Sequence, residues 1–434
     1  MHSFHYRDGE LFCEDVALRP LAETHGTPLY VYSAGTIRDH FTRLDAALSG
    51  LDHLICYATK ANSNLAVLNL LAKLGSGFDI VSGGELFRVK QAGGDPAKCT
   101  FAGVGKTRPE IEYALSEGIY CFNAESEAEV RFLDAVAADL GTTVPVALRV
   151  NPNVDAKTHK YISTGKSENK FGIDFAVIRD AYRRAADLPH VRLRGLQMHI
   201  GSQLTSVDPF REAVDKVAPL AAELKRDHGI EFWSIGGGIG IVYRESLPSG
   251  RPEWWQGPPE EGTTPPLTIA SYAEALLPTL RDLGLRVLLE PGRFLVGNAG
   301  VLVTRVVYEK RGSAKTFKIV DAGMNDLIRP ALYQGHHEIV PLREPAPGAP
   351  SETVDVVGPV CESGDFFAQD RPVPPLAAGD LLALMSSGAY GFVMASNYNS
   401  RPLPAEILVD GADAEVVRER QTYADLVAGE RIPA

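Results

Sequence analysis

Residues 54–86 read LICYATKANSNLAVLNLLAKLGSGFDIVSGGEL. The apolar run LICYAT ends in a polar cluster. Leu65, Leu68, Leu71 and Leu74 then recur at helical spacing, and the next apolar run, GFDIV, ends in SGGE. A strand, a helix and a second strand in so short a span make one βαβ unit, whose strands run parallel.

Working outward, the same alternation recurs. Strand-like runs fall at Leu54–Thr59, Gly77–Val81, Cys99–Gly103, Ile119–Phe122, Val146–Val150, Leu193–His199, Phe232–Ile235 and Arg286–Leu289. Helical spacing fills the gaps at Asn64–Leu74, Gly84–Ala92, Pro109–Glu117, Ser126–Leu140, Phe175–Ala186, Phe210–Asp227 and Tyr272–Leu283. Eight such units over about 240 residues match a (β/α)8 TIM barrel in number and size. A doubly wound open sheet stays open as an alternative, because periodicity does not choose between them.

After Arg293 the pattern changes. Val301–Tyr308, Thr316–Val320, Val354–Val357, Leu381–Met385 and Ala405–Leu408 are strand-like and separated by Gly, Pro and Asp clusters. This predicts an all-β C-terminal domain, a β-barrel or β-sandwich. The strand-rich N-terminal segment precedes the first barrel unit and is expected to join that domain. The expected division is 1–35 as an N-terminal segment packing with the β domain, 36–294 as the barrel, and 295–434 as the β domain. The proline-rich stretch Glu245–Pro266 is expected to be a long loop.

The chain has 434 residues, with 43 Lys plus Arg against 55 Asp plus Glu, a formal charge of −12. An acidic chain is a poor generic partner for nucleic acid or an anionic membrane. No apolar run approaches the roughly 20 residues of a membrane span. The five cysteines lack CxxC spacing, which gives no metal motif and fits a reducing, cytoplasmic compartment.

In a parallel barrel the active site lies at the C-terminal strand ends. Those ends carry Lys60, Asp79, Ser82 and Glu85, Arg149, His199 and Ser202, the glycines 236, 237, 238 and 240, and Glu290 with Arg293. Taken singly each is ordinary: a solvated lysine, a tight turn, a structural histidine. Gathered on one rim they answer one chemical need. A lysine amine forms a Schiff base with an aldehyde. Glycine N–H groups receive a phosphate. A carboxylate keeps a pyridine nitrogen protonated, and an imidazole can lie against the ring. Pyridoxal 5'-phosphate needs all four. A dinucleotide site is the competing reading of GGGIG, but no GxGxxG spacing is present.

Several strings closely resemble the barrel-type (fold III) pyridoxal-phosphate-dependent decarboxylases, and within them the diaminopimelate decarboxylases. They are YATKANSNLAVLNLLAKLGSGFDIVSGGEL, HKYISTGKSENKFGI, GLQMHIGSQ, GGGIGI, EPGRFLVGNAG, DAGMNDLIRPALY, GPVCESGDF and GAYGFVMASNYN, spread over nearly the whole chain. The resemblance implies decarboxylation of meso-2,6-diaminopimelate to L-lysine and carbon dioxide, the last step of lysine biosynthesis.

It also implies roles. Lys60 would carry the cofactor and Glu290 would pair with its ring nitrogen. His199 would stack on the ring. Ser202, Gly238, Gly240, Arg293 and Tyr390 would surround the phosphate or its edge, and Asp79 and Arg149 would support the cofactor and the lysine. Arg293, Arg329, Tyr333, Glu362 and Tyr390 would bind the substrate. Cys361 would be a catalytic proton donor, with Lys60 as the alternative source of that proton. Cys361 and Glu362 would enter from a partner subunit, which implies a homodimer with active sites at its interface. The HKYISTGKSENKFG stretch, with Lys157, Lys160, Lys166 and Lys170 in or beside it, resembles the specificity loop of diaminopimelate enzymes.

Overall fold

The chain is described by a computed structural model that covers residues 1–155, 170–257 and 267–434. Helix starts follow their caps. The Asn64 side chain accepts the Ala66 N–H, Ser82 accepts the Glu85 N–H and Ser126 accepts the Glu129 N–H, each satisfying a donor that the first turn leaves open. Thr107 and Glu110 form a capping box, with Pro109 in the first turn beyond it. Gly229 and Gly284 close two later helices in the left-handed conformation, which costs glycine little.

These helices alternate with eight parallel strands: β1 His53–Ala58, β2 Gly77–Ile80, β3 Cys99–Phe101, β4 Cys121–Ala124, β5 Val144–Asn151, β6 Val191–Met198, β7 Phe232–Ser234 and β8 Arg286–Leu289. β8 pairs with β1, Leu288 opposite Leu54, so the sheet closes on itself. Closure excludes the open-sheet alternative. Leu54, Cys56, Cys121, Ala147, Phe232 and Leu288 form an apolar cluster inside this unit. Gly195 in β6 makes room for it, since a Cβ there would lie 2.4 Å from the Phe232 ring.

The chain separates into two compact units. One holds Arg38–Ile241 and, after an excursion that starts at Val242, the residues up to Leu295. The other holds Met1–Ile37, the segment from Val242, and Val296–Ala434. In the second unit the strand Leu29–Ser33 lies between Gly300–Arg311, antiparallel to it, and Ala405–Asp410, parallel to it. Phe4, Leu11, Leu18, Leu29 and Val31 share a core with Val301, Val303, Leu381, Ile407 and Val409. Three strands of this unit escape the apolar pattern: Ile339–Pro341, Phe366–Val373 and Asp413–Arg418. Asp413–Arg418 has no fully buried residue, which explains its missing apolar signal.

The stretch from Glu245 is not a plain loop. It forms short turns at Pro248–Gly250 and Pro252–Gln256. Its start is tied down within the second unit: Ser246 bonds to Ser386 at 2.6 Å, its carbonyl lies 2.7 Å from His2, and Leu247 N–H donates to Glu338 at 2.7 Å. Trp254 and Trp255 meet edge to face. Residues 258–266 lie outside the described residues.

Candidate active site

Lys60 stands in a single helical turn, Thr59–Ala61, directly after β1. Its Nζ donates to Asp79 Oδ2 at 2.8 Å, and its side chain keeps 42% of its surface exposed while that of Asp79 keeps 1%. The amine is thus accessible yet tethered by a buried carboxylate. The second oxygen of Asp79 is buried with no hydrogen-bond partner among the described residues. Next to it, Glu85 accepts the Val81 N–H at 2.7 Å, and burial pushes its carboxyl up to about 7.

Glu290 follows β8 and is buried. Ser234 Oγ from β7 donates to its Oε1 at 2.6 Å, Gln197 Nε2 from β6 donates to Oε2 at 2.8 Å, and Asn123 Nδ2 from β4 donates to Oε1 at 3.3 Å. Burial, then the charge of Asp79, pushes the carboxyl up to about 7, against the pull of the Ser234 and Gln197 bonds.

His199 follows β6. Its Nδ1 accepts the Gly237 N–H at 3.2 Å, which puts the ring proton on Nε2. Burial, with the charges of Arg149 and Lys60, holds it well below the usual imidazole range, so the ring is neutral at physiological pH. Arg149 in β5 pairs with Glu125 at 2.8 Å, both buried, and Glu125 also accepts the Gly172 N–H at 2.8 Å. Arg293 donates to Ser202 Oγ at 3.1 Å. The loops after β6 and β7 are zipped together: Leu204 N–H donates to Gly238 O and Gly240 N–H to Leu204 O, both at 2.9 Å. A Cβ at Gly238 would lie 2.3 Å from Gly201 O, and one at Gly237 would lie 2.1 Å from Glu290 O. Only glycine permits this approach.

The first unit therefore brings together Lys60, Asp79, Arg149, His199, Ser202, Gly238, Gly240, Glu290 and Arg293. The other expected residues belong to the second unit. Arg329 opens the helix Arg329–Tyr333 and is buried, 2.7 Å from His337 Nε2 and 4.4 Å above the Tyr243 ring. Tyr333 lies at the end of that helix. Cys361 and Glu362 are exposed, and the Cys361 N–H donates to Asn399 at 2.7 Å. Tyr390 holds φ at 54°, a conformation that costs a bulky residue free energy and is concentrated at functional sites. The HKYISTGKSENKFG stretch lies outside the described residues up to 169; Lys157, Lys160 and Lys166 fall there, while Lys170 is described.

Sequence reasoning missed Asn123, Gln197, Ser234 and Glu125. Their positions are visible in the sequence, but their role is not. The first three are polar positions inside apolar barrel runs, and Glu125 is a carboxylate directly after β4.

Residues 34–297 match the family model of the pyridoxal-dependent decarboxylases, pyridoxal binding domain. The diaminopimelate decarboxylase of Pseudomonas aeruginosa is 51% identical over 433 residues, covering 100% of this chain and 99% of that one. The crystal structure of the Helicobacter pylori diaminopimelate decarboxylase complexed with L-lysine superposes with a TM-score of 0.86 at 40% identity, covering 95% and 98% of the two chains. That of M. jannaschii, also with L-lysine, gives 0.89 at 37% identity over 99% and 98%.

The chain belongs to the diaminopimelate decarboxylase family.

This family is pyridoxal-dependent, and the barrel residues fit the group. A tethered but accessible amine, an aimed carboxylate, a neutral imidazole and a glycine cradle beside Arg293 are the donor set that an aldehyde, a pyridine nitrogen, a flat ring and a phosphate require. Among the described residues no cluster of His, Cys, Asp and Glu could hold a metal ion, and no helix is long and apolar enough to cross a membrane.

Proposed function

We infer that this protein decarboxylates meso-2,6-diaminopimelate to L-lysine and carbon dioxide. The observation that carries the reading is the barrel array in which Lys60 is tethered to Asp79 while Glu290 is aimed by donors from three strands. When bound, pyridoxal phosphate supplies an electrophilic aldehyde carbon and a ring that takes up the electrons of the breaking carbon–carboxylate bond.

The protein's own residues do the rest. Lys60, tethered by Asp79, would be the residue that holds the aldehyde carbon. Glu290 would hold a proton at the ring nitrogen, and a cationic N–H beside it would draw its carboxyl back to the ionised form. Neutral His199 would hold one ring face without competing for that charge. Ser202, the glycine N–H groups of the 238–240 loop, Arg293 and Tyr390 hold the phosphate or its edge, and Asp79 and Arg149 support the lysine and the cofactor. Arg329 and Tyr333, with Arg293, receive the distal amino-acid end, where a guanidinium fork matches a carboxylate. Cys361 delivers a proton to the reacting carbon, and Glu362 takes the distal ammonium.

The division into 1–35, 36–294 and 295–434 is proposed, with 36–294, apart from the excursion that starts at Val242, as the cofactor-binding domain. A homodimer is proposed in which Cys361 and Glu362 serve the neighbouring subunit's barrel. Their exposure supports this, because a proton donor works only when water is excluded around it. A cytoplasmic location is supported by five cysteines that form no disulfide.

The test is carbon dioxide release against meso-diaminopimelate, ornithine, arginine and carboxynorspermidine, with lysine detected as product. Turnover of a monocarboxylate in preference to diaminopimelate overturns the substrate assignment. Arg329→Ala should raise KM for diaminopimelate by about 30-fold or more, the scale of a buried charged hydrogen bond lost, and leave cofactor affinity unchanged.

A further inference from the structure

The acidic group at the base of the barrel site is surrounded by side chains with no assigned part in the reaction. Glu290 is buried, and among the described residues it forms no ion pair. Three neutral donors reach it instead, Ser234 and Asn123 on Oε1 and Gln197 on Oε2. A carboxylate offers about four acceptor positions, two on each oxygen. Oε1 is filled and Oε2 keeps one.

Asn123 Oδ1 and Gln197 Oε1 are buried without a hydrogen-bond partner among the described residues. Each amide thus spends its N–H on Glu290 and leaves its own oxygen unpaired, which a buried group does only when a stronger demand sets its orientation. That demand is the Glu290 carboxyl, whose ionised form the Ser234 and Gln197 bonds favour against burial and the charge of Asp79. A protonated Glu290 would present an O–H and would satisfy one of those amide oxygens after a flip. Gln197 and Ser234 occupy paired positions on adjacent strands, so the two donors share one rigid row of the sheet.

We propose that Gln197, Ser234 and Asn123 are positioning residues that keep Glu290 ionised and leave one open acceptor, on Oε2, for the protonated ring nitrogen of the cofactor. The donors are neutral for a reason. A cation in their place would satisfy Glu290 by itself and remove its preference for a protonated ring. The proposal deepens the function above and rests on its assignment of Glu290, but it does not depend on which amino acid is decarboxylated.

The experiment uses holoenzyme loaded with pyridoxal phosphate isotopically labelled at the ring nitrogen, read by nitrogen NMR across pH 6 to 9. Wild type should stay protonated at that nitrogen. Gln197→Met with Ser234→Ala should move the protonation midpoint down by about one pH unit or more, with kcat lower by about tenfold or more and KM little changed, the scale of losing hydrogen bonds to a charge. Ser234→Thr, which keeps the hydroxyl, should restore the wild-type midpoint when tested as a single change beside Ser234→Ala. A loaded double variant with the wild-type nitrogen signal at every pH overturns the proposal. If the double variant does not fold, the same reading of Ser234→Ala alone decides it. Because the signal needs only bound cofactor, a failed diaminopimelate assay would overturn the substrate assignment and leave this result standing.

Discussion

The barrel centre and the Cys361–Glu362 loop are two regions with opposite construction. At the barrel centre every candidate is held by protein: Lys60 by Asp79, Arg149 by Glu125, His199 by Gly237 and Glu290 by three donors. In the second unit, Cys361 and Glu362 are exposed, and Cys361 is fixed by a backbone contact to Asn399. The difference teaches where preorganisation resides. A buried charge must be paired or hydrogen-bonded, so the barrel array is built and held within one chain. An exposed thiol has no such constraint, and its chemistry waits for whatever covers it. The remaining cysteines sharpen the contrast. Burial pushes the thiols of Cys13, Cys56 and Cys121 up, and that of Cys99 up to about 12, so they stay protonated and inert.

The comparison can be broken in four places. Lys60→Ala removes the amine on which the barrel site depends; we expect turnover and the visible absorbance of the bound cofactor to vanish together, in a carbon dioxide assay and a spectrum. Residual turnover would take Lys60 out of its role. Cys361→Ala should lower kcat by about 10²–10⁴-fold, the scale of losing a positioned acid, while the cofactor titrates as in wild type. An unchanged kcat would show that Lys60 alone returns the proton.

Glu125→Ala strands the buried Arg149 charge and should cost about 3–5 kcal/mol in denaturant unfolding of the barrel. An effect below 1 kcal/mol would mean that water enters there and that the barrel array is not the rigid region. The smallest effect concerns pH. His199 is held neutral in the native state, well below the imidazole value of the unfolded chain. As pH falls below about 6.5 the unfolded chain gains a proton that the native state refuses, so stability drops by about 1.4 kcal/mol per pH unit. His199→Gln should lose this slope. An identical slope in both proteins would place the acid sensitivity elsewhere.

Much of this was legible in the sequence. The eight apolar runs reappear as strands whose ends shift by a residue or two, as for Ile119–Phe122, observed as Cys121–Ala124. Apolar spacing placed helix starts to within a residue, at Gly84 for an observed Gly83 and at Ser126 for an observed Glu127. The residues around Glu290 were not. A glutamine in GLQM or a serine in FWS carries no periodic signal, and its role exists only once strands far apart in sequence are laid side by side. The Glu245–Pro266 stretch, expected to be a plain loop, was read only in part for a related reason. Its prolines argue for irregular backbone, but its anchoring by His2, Asn298 and Glu338 depends on partners remote in the chain.

By itself, the sequence determined the alternation of strand and helix, the rim position of the chemical residues and the family, because periodicity and strand ends are local properties. Closure of the sheet, the tether on Lys60 and the set of donors on Glu290 were decided by tertiary structure alone. Each needs groups from different strands at hydrogen-bond distance, and a distance between strands is not written in either of them.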